Sequence, residues 1–434
     1  MQNDKKKKIK LIFEGSVLCN GTENNSARSG IFFVAQNLLS QFSKYEDLDI
    51  FLFLPYTTKQ NISQLKNMGV IPNNCSIILN HFLIPVFFNS ILKKCDKKND
   101  NILKKIIRFT IFRTKRLIYI IQVFLISVKI LTESYDVYFS PVNNVPKIIQ
   151  KIKKIKKYMV IHDLIPIKLK DFYENQGIYR MRPMEKTLKS LDNSVNYFTV
   201  SNSTKQDLLE CNSKIKKDNV EAVYPAISDY SLTTDKNSLN IRQKYNIPDK
   251  KYVLSLCSIE PRKNVIFAMK NFINFTEKYN IQDLIFVQAG GIWHEYINEF
   301  ENFYNSVPKD KILKIGYVDD EDKALLYSEA FIFFGAYLYE GFGLPVLEAM
   351  RQGCPVITSN SSSLPEVIGN AGIIISPQND TELQEAYKAL YYNNDVRNQC
   401  IENGLKRAEE FSWEKTGSKI IDKIKQDLGY ENII

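Results

Sequence analysis

The chain has no CxxC pair and no cysteines or histidines at metal-ligand spacing, which excludes the common structural zinc frameworks. Its seven cysteines, Cys19, Cys75, Cys95, Cys211, Cys257, Cys354 and Cys400, are odd in number and widely scattered, so reduced cytosolic thiols are expected rather than a disulfide scaffold. The lysine-rich start, Met1 to Lys10, lacks a signal-peptide core and a small-residue cleavage site, and export is not expected. No fixed-period repeat and no aromatic-basic RNA motif is present, so a nucleic-acid partner is not expected. Metal dependence is not expected either. Asp47-Leu48-Asp49 leads into a predicted strand, and Asp319-Asp320-Glu321-Asp322 reads as the acidic start of a helix.

What is present is length, positive charge and alternation. At 434 residues the chain is comfortable for two domains, and a formal charge of +10 calls for an anionic partner. Apolar runs at 9–13, 49–54, 137–140, 158–162 and 197–201 read as buried parallel strands separated by amphipathic helices. A second block repeats the pattern at 252–257, 284–289, 312–315, 330–334, 355–358 and 372–375, and the polar stretch Ser228 to Asn240 between the blocks reads as a linker. The expected fold is α/β, with two Rossmann-like doubly wound domains whose loop-rich strand ends face one cleft.

Glu340-Gly341-Phe342-Gly343-Leu344-Pro345-Val346-Leu347-Glu348 sets two carboxylates on either side of a glycine-loosened turn that opens a helix. Unpaired N–H groups at a helix start attract phosphate, whereas carboxylates accept hydrogen bonds from hydroxyls. A nucleotide sugar offers both. Taken singly, Glu348 in a first helical turn and Glu340-Gly341 in a turn are ordinary structural features. Gly353 to Thr358 continues the segment as a helix stop and buried strand, and Ser361 to Val367 as a polar loop opening another helix.

The ordered run from Tyr339 to Gly372 resembles the donor-binding signature of family 4 retaining glycosyltransferases, with Glu340 and Glu348 as its paired glutamates. The resemblance covers most of the second block and scattered positions of the first. It implies the GT-B architecture: an acceptor-side domain over 1–228 with a basic apolar insert near 84–131, a donor domain over 229–410, and a terminal helix over 411–434 crossing back to the first domain. Trp413, at the start of that helix, reads as a packing residue.

Ser258-Ile259-Glu260-Pro261-Arg262-Lys263-Asn264 follows a predicted strand, and two cations in such a loop suit a leaving diphosphate. An isolated Arg-Lys pair is usually a solvated surface feature; the resemblance moves Arg262 and Lys263 to the donor, with Cys257-Ser258 standing where many relatives carry Gly-Arg. His162-Asp163-Leu164-Ile165-Pro166 lies at the C-terminal end of a strand, where a lone histidine is more often structural. The resemblance places His162 against the donor sugar. By the same token Gly30, ahead of an amphipathic helix, approaches donor phosphate or acceptor, and Gly316, Tyr317 and Val318 meet the nucleobase through backbone. Gly341, Phe342, Gly343 and Leu344 line the donor site. Ser201-Asn202-Ser203 is explained as a helix cap, and Ala336-Tyr337 replaces the Pro-Ser common before the glutamate motif.

The insert from Asn101 to Lys129 is cationic and strongly apolar, but its uninterrupted apolar parts, Leu117 to Ile121 and Val123 to Ile126, fall short of the roughly 20 residues that span a bilayer. Lys104, Lys105, Arg108, Arg113, Lys115 and Arg116 suit an interfacial helix on anionic lipid, and Lys147 to Lys157 adds a positive stretch nearby. A helix packed on its own sheet is the alternative. The expectation is a cytoplasmic or peripheral retaining hexosyltransferase moving a sugar from a nucleoside diphosphate donor to a growing glycan or lipid-linked acceptor, closest in its motifs to O-antigen mannosyltransferases, with no cofactor or metal. The alternatives are a sugar-nucleotide epimerase or small-molecule glycoside synthase on the same fold, and a non-catalytic basic membrane-binding module.

Overall fold

In the computed structural model, residues 8–20, 30–55, 57, 59–78, 102–175, 181–227 and 238–430 are described. Ser26 to Ser29 before Gly30, His81, the start of the insert at 84–101 and most of the expected linker, 228–237, lie outside them.

The first sheet holds β1 (Ile9–Glu14), β2 (Leu48–Phe53), β3 (Ser76–Ile78), β4 (Val137–Ser140), β5 (Lys156–Ile161), β6 (Asn196–Thr199) and β7 (Val220–Ala222), in the order β3-β2-β1-β4-β5-β6-β7. Every pair is parallel, from β1 on β2 and β4 out to β6 on β7. The second sheet holds β8 (Lys251–Leu256), β9 (Leu284–Ala289), β10 (Ile312–Gly316), β11 (Ile332–Gly335), β12 (Val356–Ser359) and β13 (Ile373–Ile375), also parallel, in the order β10-β9-β8-β11-β12-β13. Strands such as β4, β9, β11 and β12 are buried along their whole length, because helices cover both faces of a parallel sheet. Their sequences are therefore continuous apolar runs rather than alternating ones.

All eleven expected strands form, with ends displaced by a residue or two, and the two additional strands, β3 and β7, are edge strands of three residues each. In each sheet the chain order reverses at one point, between β1 and β4 and between β8 and β11. Open α/β sheets bind ligands in the crevice at such points. The loops after β1 (Gly15-Ser16), β4 (Pro141 to Asn143), β8 (Cys257-Ser258) and β11 (Ala336-Tyr337) are accordingly where site residues belong.

The helix Trp413–Asp427 packs on the helix Gly30–Phe42 of the first sheet. Contact is close: a Cβ on Gly417 would come within 2.7 Å of the Gln41 side chain. Tyr158 Oη and the Asn196 amide both donate to Asp427, and Lys425 pairs with Asp47 at 2.6 Å. Trp413, Ile420, Ile421 and Ile424 are buried beneath it.

The insert forms one helix, Ile102–Thr132, 31 residues long. Val123, Ile126 and Ile130 anchor it in the first domain's core, while Phe109, Leu117, Ile120, Ile121, Phe124 and Leu131 remain exposed. The helix thus packs one face on the sheet, as the second expectation has it, and leaves another face apolar and exposed. Arg113 and Arg116 are exposed on it. Among the described residues no helix is long and apolar enough to cross a membrane.

Candidate active site at the domain junction

Strand β8 ends at Leu256, and Pro261–Lys263 form a short 3-10 turn flanked by Glu260 and by Asn264, which takes a left-handed conformation at φ 60°. This turn aims Arg262 and Lys263 at the loop following β11. Arg262 donates to Glu340 Oε1 at 2.8 Å and to the Tyr339 carbonyl at 3.0 Å, and pairs with Glu260 at 2.7 Å. Lys263 Nζ also bonds Glu340 Oε1. One carboxylate therefore sits between two cations. The pairing with Arg262 and then Lys263 more than offsets burial and holds the Glu340 carboxyl below its ordinary range.

Both cations expected on a diphosphate are thus engaged with Glu340, an arrangement that spacing along the chain does not show. Tyr337 supplies a fully buried ring whose centroid lies 4.1 Å from Lys263 Nζ. The ring face stabilises the buried ammonium. Glu260, 1% exposed, pairs through Oε1 with Arg262 and with the Ser258 hydroxyl, leaving Oε2 without a hydrogen-bond partner.

The loop from Glu340 to Gly343 is clamped from two sides. Ser362 Oγ accepts from Glu340 N at 2.8 Å, and Ser363 Oγ donates to the carbonyls of Glu340 and Phe342. From the first domain, Ser201 and Thr204 hydroxyls donate to the Gly341 carbonyl at 2.6 and 3.1 Å. A Cβ on Gly341 would lie 2.2 Å from the His162 carbonyl oxygen, so only glycine fits between the domains. Gly343, at φ 106°, precedes the helix Leu344–Arg351, with Pro345 as its second residue. Glu348 is the fifth residue of that helix, beyond the first turn, so the macrodipole does not account for it. Its Oε2 accepts from Tyr327 Oη at 2.9 Å; burial raises its pKa, with Lys323 acting in the opposite sense.

His162 follows β5 directly. Its Nε2 lies 2.7 Å from the Pro141 carbonyl, which only accepts, so Nε2 carries the proton and Nδ1 presents a lone pair. Burial lowers the His162 pKa, which keeps the ring neutral. A cavity of about 600 Å³ opens beside it, walled by Ser16, Ile31, Tyr119, Asn143, Asp163 and Met184 among others. Buried Glu14 stands behind, accepting from Ser16 N and the Asn143 amide, its pKa raised by desolvation.

The structure brings Arg262, Lys263, Glu340, Gly341 and His162 together across the junction. Ser258 and Gly30 lie at its rim, both exposed, and a Cβ on Gly30 would be 3.8 Å from Leu344. Gly316, at φ 74°, ends β10 and Tyr317, 55% exposed, follows it, with Val318 buried; Lys323, just beyond them, links this loop electrostatically to Glu348. Phe342 is buried in an aromatic cluster with Tyr224 and Phe411 and supports the loop from behind. Among the described residues no group of three histidine, cysteine or acidic side chains is placed to hold a metal.

The serine motif Ser201-Asn202-Ser203 does more than cap its helix, Asn202–Cys211. Glu366 of the second domain accepts from the amides of Asn202 at 3.0 Å and Ser203 at 2.9 Å and from Tyr224 Oη at 3.1 Å. Tyr339 Oη bonds Asp207 of the same helix. The only signal available in sequence was a glutamate, Glu366, after a leucine-proline pair.

Two doubly wound domains meeting at a cation-and-glutamate cluster define the GT-B class. Residues 237–407 match the family described as glycosyl transferases group 1, so the second domain is a domain of that family. The O-antigen chain mannosyltransferase B of Escherichia coli is 32% identical over 248 residues, covering 57% of this chain and 65% of that protein. The serotype-specific mannosyltransferase WbdA of Escherichia coli is 29% identical over 296 residues, covering 67% of this chain and 35% of that protein. The chain thus spans less than two thirds of either relative. A glycosyltransferase structure from Rickettsia africae ESF-5 superposes with a TM-score of 0.65 over 98% of this chain and 100% of that one; at 17% identity it speaks for the fold alone.

Proposed function

We propose that the protein is a retaining glycosyltransferase that moves a hexose, mannose being the first candidate, from a nucleoside diphosphate sugar to a growing surface polysaccharide or lipid-linked glycan. The observation that carries this reading is the Glu340 carboxylate bridging Arg262 and Lys263 at the mouth of a glycine-opened helix. The donor diphosphate shares both cations with Glu340, whose remaining acceptor capacity serves the hydroxyls of the transferred sugar. Glu348, steadied by Tyr327, accepts from ribose hydroxyls, and the Gly343-Leu344 backbone faces phosphate. His162 presents Nδ1 to the sugar. In the transfer step the bond from C1 to the leaving phosphate oxygen breaks, the bond to the acceptor oxygen forms on the same face, and the acceptor's proton passes to the departing phosphate. Lys263 and Arg262 supply the positive charge there, with no metal or cofactor required in this reading. The two Escherichia coli mannosyltransferases support the sugar and the polysaccharide context.

The long helix suits work at the inner face of the cell membrane. Its exposed Phe124 and Leu131, with Arg113 and Arg116, match an anionic bilayer surface in both apolarity and charge. Release of nucleoside diphosphate from a panel of nucleotide sugars, scored with glycan acceptor present, tests the enzyme reading. Glu340→Gln and Lys263→Ala each lower turnover by about 100-fold or more with the fold intact; full activity in both variants refutes it. Co-sedimentation with vesicles tests the membrane reading, which fails if anionic lipid gives no advantage over neutral lipid.

A further inference from the structure

The first domain carries a second charged cavity, at the end of the sheet opposite the active site. About 830 Å³ in volume, it is lined by the side chains of Lys147, Lys151, Lys153, Lys156, Lys157 and Lys189. A single carboxylate, Asp192, shares the lining, and it is turned to the Ser194 amide at 2.8 Å. None of the six ammonium groups makes a hydrogen bond or ion pair with a described residue. Five are exposed and could be solvated as they stand, but Lys157 is only 6% exposed. Among the described residues Asp192 is its one attractive neighbour and Lys156 opposes it, so a nearly buried ammonium among five like charges has a single carboxylate to balance them.

Strand β5 fixes the location. Lys156 and Lys157 begin it and His162 follows its end, so at about 3.3 Å per residue the cavity lies about 16 Å from the active-site histidine. The diphosphate of a donor held at Lys263 does not reach it. The turn before β5 is also tied to the long helix, since Lys154 Nζ donates to the carbonyls of Leu131 and Glu133. Six compact ammonium groups gathered around one carboxylate leave an excess of positive charge that suits phosphate, whose several oxygens can be shared among point-charge donors.

We propose that this lysine cavity is a binding site for a phosphate-bearing anion of two or more charges, separate from the donor site. The phosphate belongs either to a soluble phosphoanion or to an anionic lipid headgroup delivered where the long helix meets the bilayer; only the second source rests on the membrane reading above. Calorimetric titration of inorganic pyrophosphate into the Lys263→Ala protein, whose donor site is weakened, measures the cavity directly. Adding Lys151→Glu, Lys153→Glu and Lys189→Glu should weaken binding by about tenfold or more. Pyrophosphate binding lost in that variant establishes a soluble-phosphate site. If pyrophosphate does not bind but phosphatidylglycerol-containing vesicles do, and the triple substitution abolishes that preference, the headgroup is the ligand. Equal behaviour of the parent and the triple variant in both assays overturns the proposal. Lys157→Met, which keeps the buried stem and removes the charge, provides a second variant that should lose binding while its fold stays intact. Glycosyl transfer measured with Lys263 restored reads the enzyme assignment independently.

Discussion

Gly341 shows how tightly one position can join two domains. The His162 carbonyl occupies the space of its missing Cβ, and the Gly341 carbonyl receives two hydroxyls from the first domain. Gly341→Ala should therefore push the domains apart at the donor loop, costing about 2 kcal/mol by overpacking and lowering turnover out of proportion to that loss. A thermal melt paired with a turnover assay checks it; an alanine variant with native activity rules out the close approach. His162 offers a pH signature. Its folded pKa lies below the ordinary 6.5, so as pH falls the unfolded chain takes up the proton first, and stability present above 6.5 is lost through the interval down to the folded value. Glu14, Glu260 and Glu348 have raised pKa values and act in the opposite sense, contributing most at low pH. Subtracting the melting profile of His162→Gln from that of the parent removes the carboxylates, and the difference should rise from pH 5 to 7. A flat difference would show that the ring is not held neutral.

Among the elements, the helix Asn202–Cys211 reads in sequence as one capped by serine and nothing more, because capping alone explains Ser201. Its second role depends on Glu366, distant in sequence, whose carboxylate takes the place of the missing intrahelical acceptors for Asn202 and Ser203. Glu366→Ala should remove about 2 kcal/mol of charge-assisted bonding between the domains and widen their mean separation, measurable as a larger radius of gyration in solution scattering. The strands, by contrast, were legible almost to their ends, since a parallel sheet buried on both faces imposes unbroken apolar runs. Edge strands β3 and β7, three residues each, are too short to impose one. The same logic separates the legible part of the active site from the hidden part. Glu340, Lys263 and His162 each stood in a recognisable loop, whereas the mutual pairing of Arg262 and Lys263 on Glu340, and the ring of Tyr337 beneath Lys263, are tertiary facts without local pattern. On the long helix, Phe124→Gln and Leu131→Gln should leave the melting temperature unchanged, both side chains being exposed, while reducing co-sedimentation with anionic vesicles.

At the scale of the whole molecule, the two domains are joined by contacts at well-separated places. Glu366 binds the start of the helix Asn202–Cys211, and Asp427 receives Tyr158 and Asn196 at the opposite end of the first sheet, where β5 and β6 begin. The terminal helix between them buries Ile420, Ile421 and Ile424 against the first domain although its chain emerges from the second. Domains that share so much interface unfold together, because the loss of one exposes apolar surface of the other. The parent should therefore melt in a single calorimetric transition. Glu366→Ala and Asp427→Ala act at sites with no shared partner, so their separate costs should add. Together they weaken the links while leaving each sheet's own core intact, and the transition should broaden or divide into two as each domain follows its own stability. A double variant that still melts in one transition, with equal calorimetric and van't Hoff enthalpies, would mean that the terminal helix and the clamp on Gly341 suffice to couple the domains, and adding Ile421→Ala would then test the share of the helix.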